Sequence, residues 1–475
     1  MHSKERRARF VELDLPEFGL PRKEPKIPAE TFLRRIDELK ERARDEGYDV
    51  LAVYGDREHF ANLAYLTGFD PRFEENLLIL NLDGRGPKRP VLLIGHEGIG
   101  YLDISPIKDD LDAVLYPSFS LMGQDRVGCP ELGETLRAAG VGGGSRVGVA
   151  GWKYFTSLEA EMPETWLEIP SYIADTLREI CGGKEYVRNA NHLFMNPGDG
   201  MRTVNDIDQL ARFEFAATYS SQAVRNVVFG LEVGMTEFEA VELMGVNGLP
   251  LSCHLMLSSG PRAFMGLPSP SSRVIERGDP FTTAYGLHGA LTCRAGFVVE
   301  SPEELPRSIQ DYVDKLVAPY FEAVASWYGR IGIGVRCDEL YRLILDRLGD
   351  PFFGVNLNPG HFIHLDEWVH SPFYEGSNVI LRSGVALQAD FIPATKSPYF
   401  TTNIEDGIAL ADKSLRKKLA DEYPGAWERI GARRAFMEEE LGICLKPEVL
   451  PFSNIPAYLP PLLLSPYHAM RISAN

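Results

Sequence analysis

The chain has 475 residues, 44% hydrophobic and 24% charged, the composition of an ordinary globular protein long enough for two or three domains. Lys and Arg number 49 against 67 Asp and Glu, a net charge of −18, and no run of consecutive basic residues exceeds the three of "RKK". The clustered positive charge that phosphate backbones require is missing, which excludes nucleic acid as the expected partner. No segment approaches the ~18–20 uninterrupted apolar residues of a membrane span. The first residues, Met1-His2-Ser3-Lys4-Glu5-Arg6-Arg7, are too charged for a signal peptide. The six cysteines are scattered with no C-x-x-C pair, so neither a disulfide framework nor a cysteine zinc site is expected. A cytoplasmic, reduced protein is the expectation.

Residues 1–27 are charged and proline-punctuated and read as an amino-terminal arm without a core of its own. From Pro28, Phe32, Ile36, Leu39 and Ala43 recur at helical spacing up to Gly47. "VLAVYG", "LLILNLD" and "PVLLIGHE" follow as short apolar strands, and helix–strand alternation over 28–195 predicts an α/β domain. The glycine-rich "AAGVGGGSRVGVAG" lacks the Lys-Ser/Thr ending of a phosphate loop and reads as a turn into a strand. "NPGDGMR" marks a boundary. A domain over 196–412 then opens with a long helix, and Thr236 with Glu239 three residues on predicts a capping box. Strands and turns are expected over 253–300, two helices over 306–349, and strands again at "NVILRSG", "VALQADFI" and "GIALAD". Residues 413–475 read as one charged helix and a proline-rich extension.

Several of these segments, in this order, resemble the creatinase, aminopeptidase P and prolidase superfamily. They include "NLAYLTGFD", "MRTVNDIDQLARFEFAA", "GLEVGMTEFE", "GIGVRCDELY", "NPGHFIHL", "LRSGVALQADFIP" and "TTNIEDGIAL". The resemblance spans residues 30–412. It implies the pita-bread fold: an α/β amino-terminal domain followed by an α+β domain with a curved antiparallel sheet flanked by helices.

The peptidases of that family hold two metals with two Asp, one His and two Glu, hard anionic oxygens that offset two dications. By resemblance this chain keeps His361 and Glu405 and carries Asp390 in place of the first Glu. The two Asp positions fall at Ala284 and Leu291, and no acid lies between Asp279 and Glu300. The family's upstream proton-handling His falls at about Leu267, with His254 the only nearby His in sequence. Neither a dinuclear centre nor a creatinase-type proton shuttle is therefore expected in standard form.

The expected catalytic residues are His361, His370, Glu405 and Asp390, with the imidazoles moving protons or orienting substrate and the carboxylates tuning them. Substrate-binding candidates are Arg294 and Arg262 as carboxylate clamps, His288 and His364, and Arg72 and Phe73, which by resemblance would complete a partner subunit's pocket. Trp368 and Phe373 are candidate apolar walls, and Cys293 reads as a buried thiol rather than a nucleophile. No cofactor is expected. The alternative is a single divalent ion on His361, Asp390 and Glu405 with His288 as a fourth ligand, although Asp for Glu withdraws the 390 ligand by about 1.5 Å, large against metal–ligand tolerances. The leading expectation is a homodimeric hydrolase acting on a C–N bond of a small carboxylate-bearing or zwitterionic molecule. The alternatives are an Xaa-Pro peptidase, a non-catalytic ligand- or protein-binding homologue, and a metal-dependent lyase.

Overall fold

The computed structural model describes residues 6–367 and 370–474. The chain divides into two compact units, one of residues 27–202 and the other of residues up to 26 together with those from 203 onward.

The unit 27–202 is built on a mixed six-stranded sheet in the order Asp112–Leu115, Val91–Ile94, Asn76–Asn81, Val50–Gly55, Val147–Ala150 and Val187–Asn189. Central strands buried on both faces read as continuous apolar runs, which is why "VLAVYG" and "PVLLIGHE" were legible. "RVGVAG" is a strand, parallel to Val50–Gly55. The helix Ala29–Asp45 buries Phe32, Ile36, Leu39 and Ala43 and ends before Gly47, whose φ of +81° suits glycine.

The other unit carries two antiparallel four-stranded sheets. One runs Asn403–Glu405, Ala290–Phe297, Pro280–Leu287, Met256–Ser259; the second runs His361–Phe362, Ala386–Gln388, Gly407–Leu410, Val449–Pro451. The chain passes from one sheet to the other at Asp406, between Glu405 and Gly407. The buried helix Ile207–Gly230 is capped by Asp206, whose side chain accepts the Gln209 N–H. The helix Glu237–Glu242 has the expected Thr236/Glu239 capping box.

Three expectations differ from the structure. "NVILRSG" forms no strand, only an isolated bridge of Ile380 to Arg336, and Ile380 itself is left 53% exposed. The tail holds two helices, Lys413–Glu422 and Pro424–Ala435, since Pro424 opens a second helix at its first position. The proline-rich extension is buried core rather than loose coil, with Ile455, Tyr458, Leu459 and Leu462 at 0% exposure. The amino-terminal arm likewise has a fixed place. Arg6–Glu12 pairs antiparallel with His468–Ala474, and Arg225 donates to the carbonyls of Leu15 and Pro16.

Candidate active site

Four ionisable side chains from three segments meet where the second sheet adjoins the first. His361 starts a strand behind Gly360, whose φ is +113° and where a Cβ would stand 2.7 Å from the Gln388 carbonyl oxygen. Only glycine permits that approach. The His361 Nδ1 lies 3.0 Å from the Phe362 carbonyl, so a proton there turns the Nε2 lone pair inward. Around Nε2 stand Glu367 Oε1 at 3.3 Å, Glu405 Oε1 at 3.6 Å and Asp390 Oδ2 at 3.8 Å. All four side chains are buried.

Glu405 pairs in register with Cys293, which belongs to an apolar cluster with Met256, Ala284 and Leu291, flanked by Cys253. The two positions that by resemblance would carry metal-binding Asp therefore line a dry wall beside the carboxylates. Burial raises the Glu405 carboxyl well above its usual range, and the charge of Asp390 adds to it. Burial likewise raises Asp390, to about 6. Burial alone would depress His361, but hydrogen bonding and charge from Glu367 and Glu405 outweigh it and hold the imidazole well above 6.5. Three carboxyls and an imidazole in low dielectric must be neutralised by protons or by a cation.

The donor set fits one cation. One ligand atom from each of His361, Glu367 and Glu405 lies within 4.8 Å of the others. Ligands at about 2.1 Å on one tetrahedral dication stand about 3.4 Å apart, close to the observed 3.3 and 3.6 Å. Asp390, one methylene short of Glu, stops farthest from Nε2 at 3.8 Å. Its Oδ1 and the Glu405 Oε1 accept no hydrogen bond from the described residues.

Of the expected site residues, His361, Asp390 and Glu405 come together. Glu367 joins them and was missed; it lies six residues beyond His361, past a run of bends that follows the short strand His361–Phe362, so no periodic pattern pointed to it. His370 and His288 are not among the convergent ligand atoms of the described residues. His370 bridges its backbone to Phe362, and burial lowers its imidazole to about 4. His288 occupies the two-residue turn between strands paired at Leu287 and Ala290. His364 is fully buried, with its ring edge-on to Phe213 at 5.1 Å.

Both expected anion clamps are corrected. Arg294 is 1% exposed, pairs with Asp406 at 2.8 Å and donates to the Tyr458 and Cys293 carbonyls, so its guanidinium is spent inside the core. Arg262 pairs with buried Glu237 and donates to Ser271 and Ser269. Phe373 packs against Trp327 in the core, with no exposure, rather than lining a pocket, and Trp368 lies outside the described residues. Cys293 is a buried thiol receiving the Asn403 amide at 2.7 Å, pushed up first by burial and then by Glu405; it is no nucleophile. Arg72 and Phe73 belong to the unit 27–202, where Arg72 pairs with Asp70 and Phe73 is 73% exposed. The ring of His254 stands 2.8 Å from the Leu267 carbonyl, so folding closes the sequence gap between that histidine and Leu267.

No protein-family model and no curated protein sequence matches the chain. Solved structures do. The prolidase of Pyrococcus horikoshii OT3 superposes with a TM-score of 0.58 at 16% identity, covering 80% of this chain and 95% of its own. An Xaa-Pro dipeptidase from Bacillus anthracis gives 0.57 at 15% identity, covering 81% and 96%. The aminopeptidase PepP of Pseudomonas aeruginosa gives 0.56 at 15% identity, covering 82% and 93%. This chain has the prolidase fold. That fold class, mixed α/β with helices against antiparallel sheets, is the one the sequence predicted. Within the prolidase fold, function is decided by the residues at the site rather than by the architecture. No described helix is long and apolar enough to cross a membrane.

Proposed function

We propose that this chain is a hydrolase that cleaves a C–N bond of a small molecule at a single-cation centre held by His361, Glu367 and Glu405, with Asp390 as the adjoining acid. The observation that carries the reading is the convergence of three buried carboxyl groups on the His361 Nε2. Glu367 supplies the carboxylate that sequence reasoning lacked, and it favours the single-ion alternative over a cofactor-free site. A divalent ion there would supply Lewis acidity toward the bond being cleaved.

The chain's own groups supply the rest. His361, protonated at Nδ1 toward the Phe362 carbonyl, presents its Nε2. Asp390, a buried carboxyl 3.8 Å from the His361 Nε2, is placed to carry a proton between the attacking water and the leaving nitrogen. It takes a proton from the attacking water as the carbon–oxygen bond forms and returns it to the nitrogen as the carbon–nitrogen bond breaks. The wall of Met256, Ala284, Leu291 and Cys293 keeps bulk water away and strengthens these interactions. With Arg294 and Arg262 engaged elsewhere, a substrate carboxylate would be met by other groups. The active form is proposed as a homodimer, to be checked by sedimentation.

One observation favours a second reading: the apolar residues at 284 and 291 suit a homologue that kept the fold for ligand binding. Metal analysis of purified protein, followed by turnover assays on Xaa-Pro dipeptides, N-acyl amino acids and guanidino compounds, separates the two. About one equivalent of dication, lost in His361→Ala and Glu367→Gln together with turnover, supports the hydrolase. Near two equivalents, or prolidase turnover above ~1 s⁻¹, an ordinary enzyme rate, in protein holding no metal, overturns it. No metal and no turnover leaves the binding homologue.

A further inference from the structure

Strand register fixes what lies beside Glu405. Glu405, Cys293, Ala284 and Met256 are paired in one row across four consecutive strands of the first sheet. Directly opposed residues point to the same face, so these side chains share the side on which Glu405 meets His361. At about 4.8 Å between strands, the row runs roughly 14 Å from Glu405, with Cys293 first, Ala284 second and Met256 at the far end. Leu291, two residues before Cys293, adds to the same face. So does Cys253: a Cβ built on Gly286, two residues beyond Ala284, would stand 2.7 Å from its Sγ. The neighbouring row of Asn403, Ala295, Thr282 and Ser258 carries only neutral side chains.

Exposure separates this face from the other. Met256, Ala284, Leu291 and Cys293 keep 4–8% exposure, and Cys253 is only partly buried. Leu257, Tyr285, Thr292 and Arg294, which alternate with them, keep 0–2%. The side of the sheet that retains access is thus the side of Glu405. No cation of these strands is free to meet a negative group there. The segment 253–300 has four Lys or Arg residues, all arginines, and each is paired with a carboxylate: Arg262 with Glu237, Arg273 with Asp279, Arg277 with Glu300 and Glu304, Arg294 with Asp406. The cluster itself brings three carboxyl groups, whose charge one dication does not fully offset. A carboxylate laid along this wall would be desolvated without a partner, whereas a methylene chain would gain by leaving water.

We infer that the substrate presents an uncharged apolar group to this wall, beside the bond that is cleaved, and that Ala284 sets how far that group can extend. Ala284 has the smallest side chain of the row, so the wall is lowest there, and Met256 closes its far end. The inference rests on the single-cation hydrolase reading and narrows its substrates to amides with an apolar acyl chain.

Calorimetric titration of Mn²⁺-loaded protein with hydroxamates, which ligate a metal ion through the same head group whatever their chain, tests it. The probes are acetohydroxamate, hexanohydroxamate and adipate monohydroxamate, the last being the hexanoyl chain with a carboxylate in place of its terminal methyl. Hexanohydroxamate should bind at least about tenfold more tightly than either of the others. Ala284→Leu should weaken hexanohydroxamate at least about tenfold more than it weakens acetohydroxamate. Met256→Lys, which puts a cation at the far end of the row, should reverse the order of hexanohydroxamate and adipate monohydroxamate. The wild-type series needs no variant to fold. If hexanohydroxamate binds no tighter than adipate monohydroxamate, or Ala284→Leu weakens acetohydroxamate as much as hexanohydroxamate, the inference is overturned while the single-cation reading stands. If acetohydroxamate binds the loaded protein no better than chelator-treated protein, the single-cation reading falls and the inference falls with it.

Discussion

Glu367→Gln should destabilise the metal-stripped protein modestly while abolishing its response to divalent ions. The ligand oxygens of Glu367 and Glu405 lie within 4.8 Å of each other, where two carboxylate charges repel by about 3 kcal/mol at an effective dielectric near 20. Burial and neighbouring charge raise the Glu405 and Asp390 carboxyls, which eases that repulsion. Against it stands the attraction of Glu367 to the His361 imidazolium at 3.3 Å, about 5 kcal/mol at the same dielectric, so neutralising Glu367 should cost about 1–2 kcal/mol near neutral pH. The pH dependence has a definite sign. Carboxyls raised in the folded state hold protons that the unfolded chain releases. Their contribution is therefore full below the unfolded carboxyl pKa of about 4 and is lost as pH rises through the folded values, about 6 for Asp390. The stripped wild type should lose stability across that window. A dication at about 100 times its Kd would add about 2.7 kcal/mol to the wild type, and the variant, short of one ligand, should lose most of that increment. Denaturant titrations of chelator-treated protein from about pH 5 to 8, with and without Mn²⁺ or Zn²⁺, measure both effects. If the metal response survives in Glu367→Gln, the single-cation argument is wrong.

Three other outcomes follow from side chains outside the cluster. His59 is held between Asp56 at Nδ1, 2.8 Å away, and Glu168 at Nε2, 2.5 Å away, and these bonds outweigh burial to raise it to about 10; its stabilisation should be full below about pH 6.5 and lost as pH rises toward 10, so His59→Gln should cost about 1–3 kcal/mol at neutral pH and flatten the alkaline limb of the melting profile. Arg294→Met should destabilise by about 3–5 kcal/mol in denaturant titration, because it strands buried Asp406 without its cation; a well-folded variant with impaired turnover alone would restore Arg294 as a substrate clamp. Iodoacetamide at pH 8 should leave Cys293 unlabelled in the native protein by mass spectrometry, since burial raises its thiol far above that pH, whereas exposed Cys444 should react.

Much of the fold was legible because its signals are local. The register of Phe32, Ile36, Leu39 and Ala43 on one helix face, the apolar run "VLAVYG" and the Thr236/Glu239 box each depend on a few neighbouring residues. The site was legible in part for the same reason: His361 and Glu405 stand in short ordered motifs, and the acid-free stretch from 280 to 299 can be read directly. Where local pattern failed, long-range packing had decided. "NVILRSG" has strand composition but forms only an isolated bridge, and the proline-rich tail becomes core because the arm and the helix Ile207–Gly230 unit supply surfaces for it to cover.

The sequence by itself determined that no acid stands between Asp279 and Glu300, because an absence of acids over a whole segment does not depend on how that segment folds. It could not decide which charges face each other. Arg294 and Glu367 show the difference. Both are charged residues in otherwise apolar or mixed segments, yet folding spends Arg294 on Asp406 inside the core and swings Glu367 to within 3.3 Å of the His361 Nε2. Charge pairing acts over a few ångströms of space, and residues 112 positions apart, as Arg294 and Asp406 are, become neighbours only when the sheets assemble.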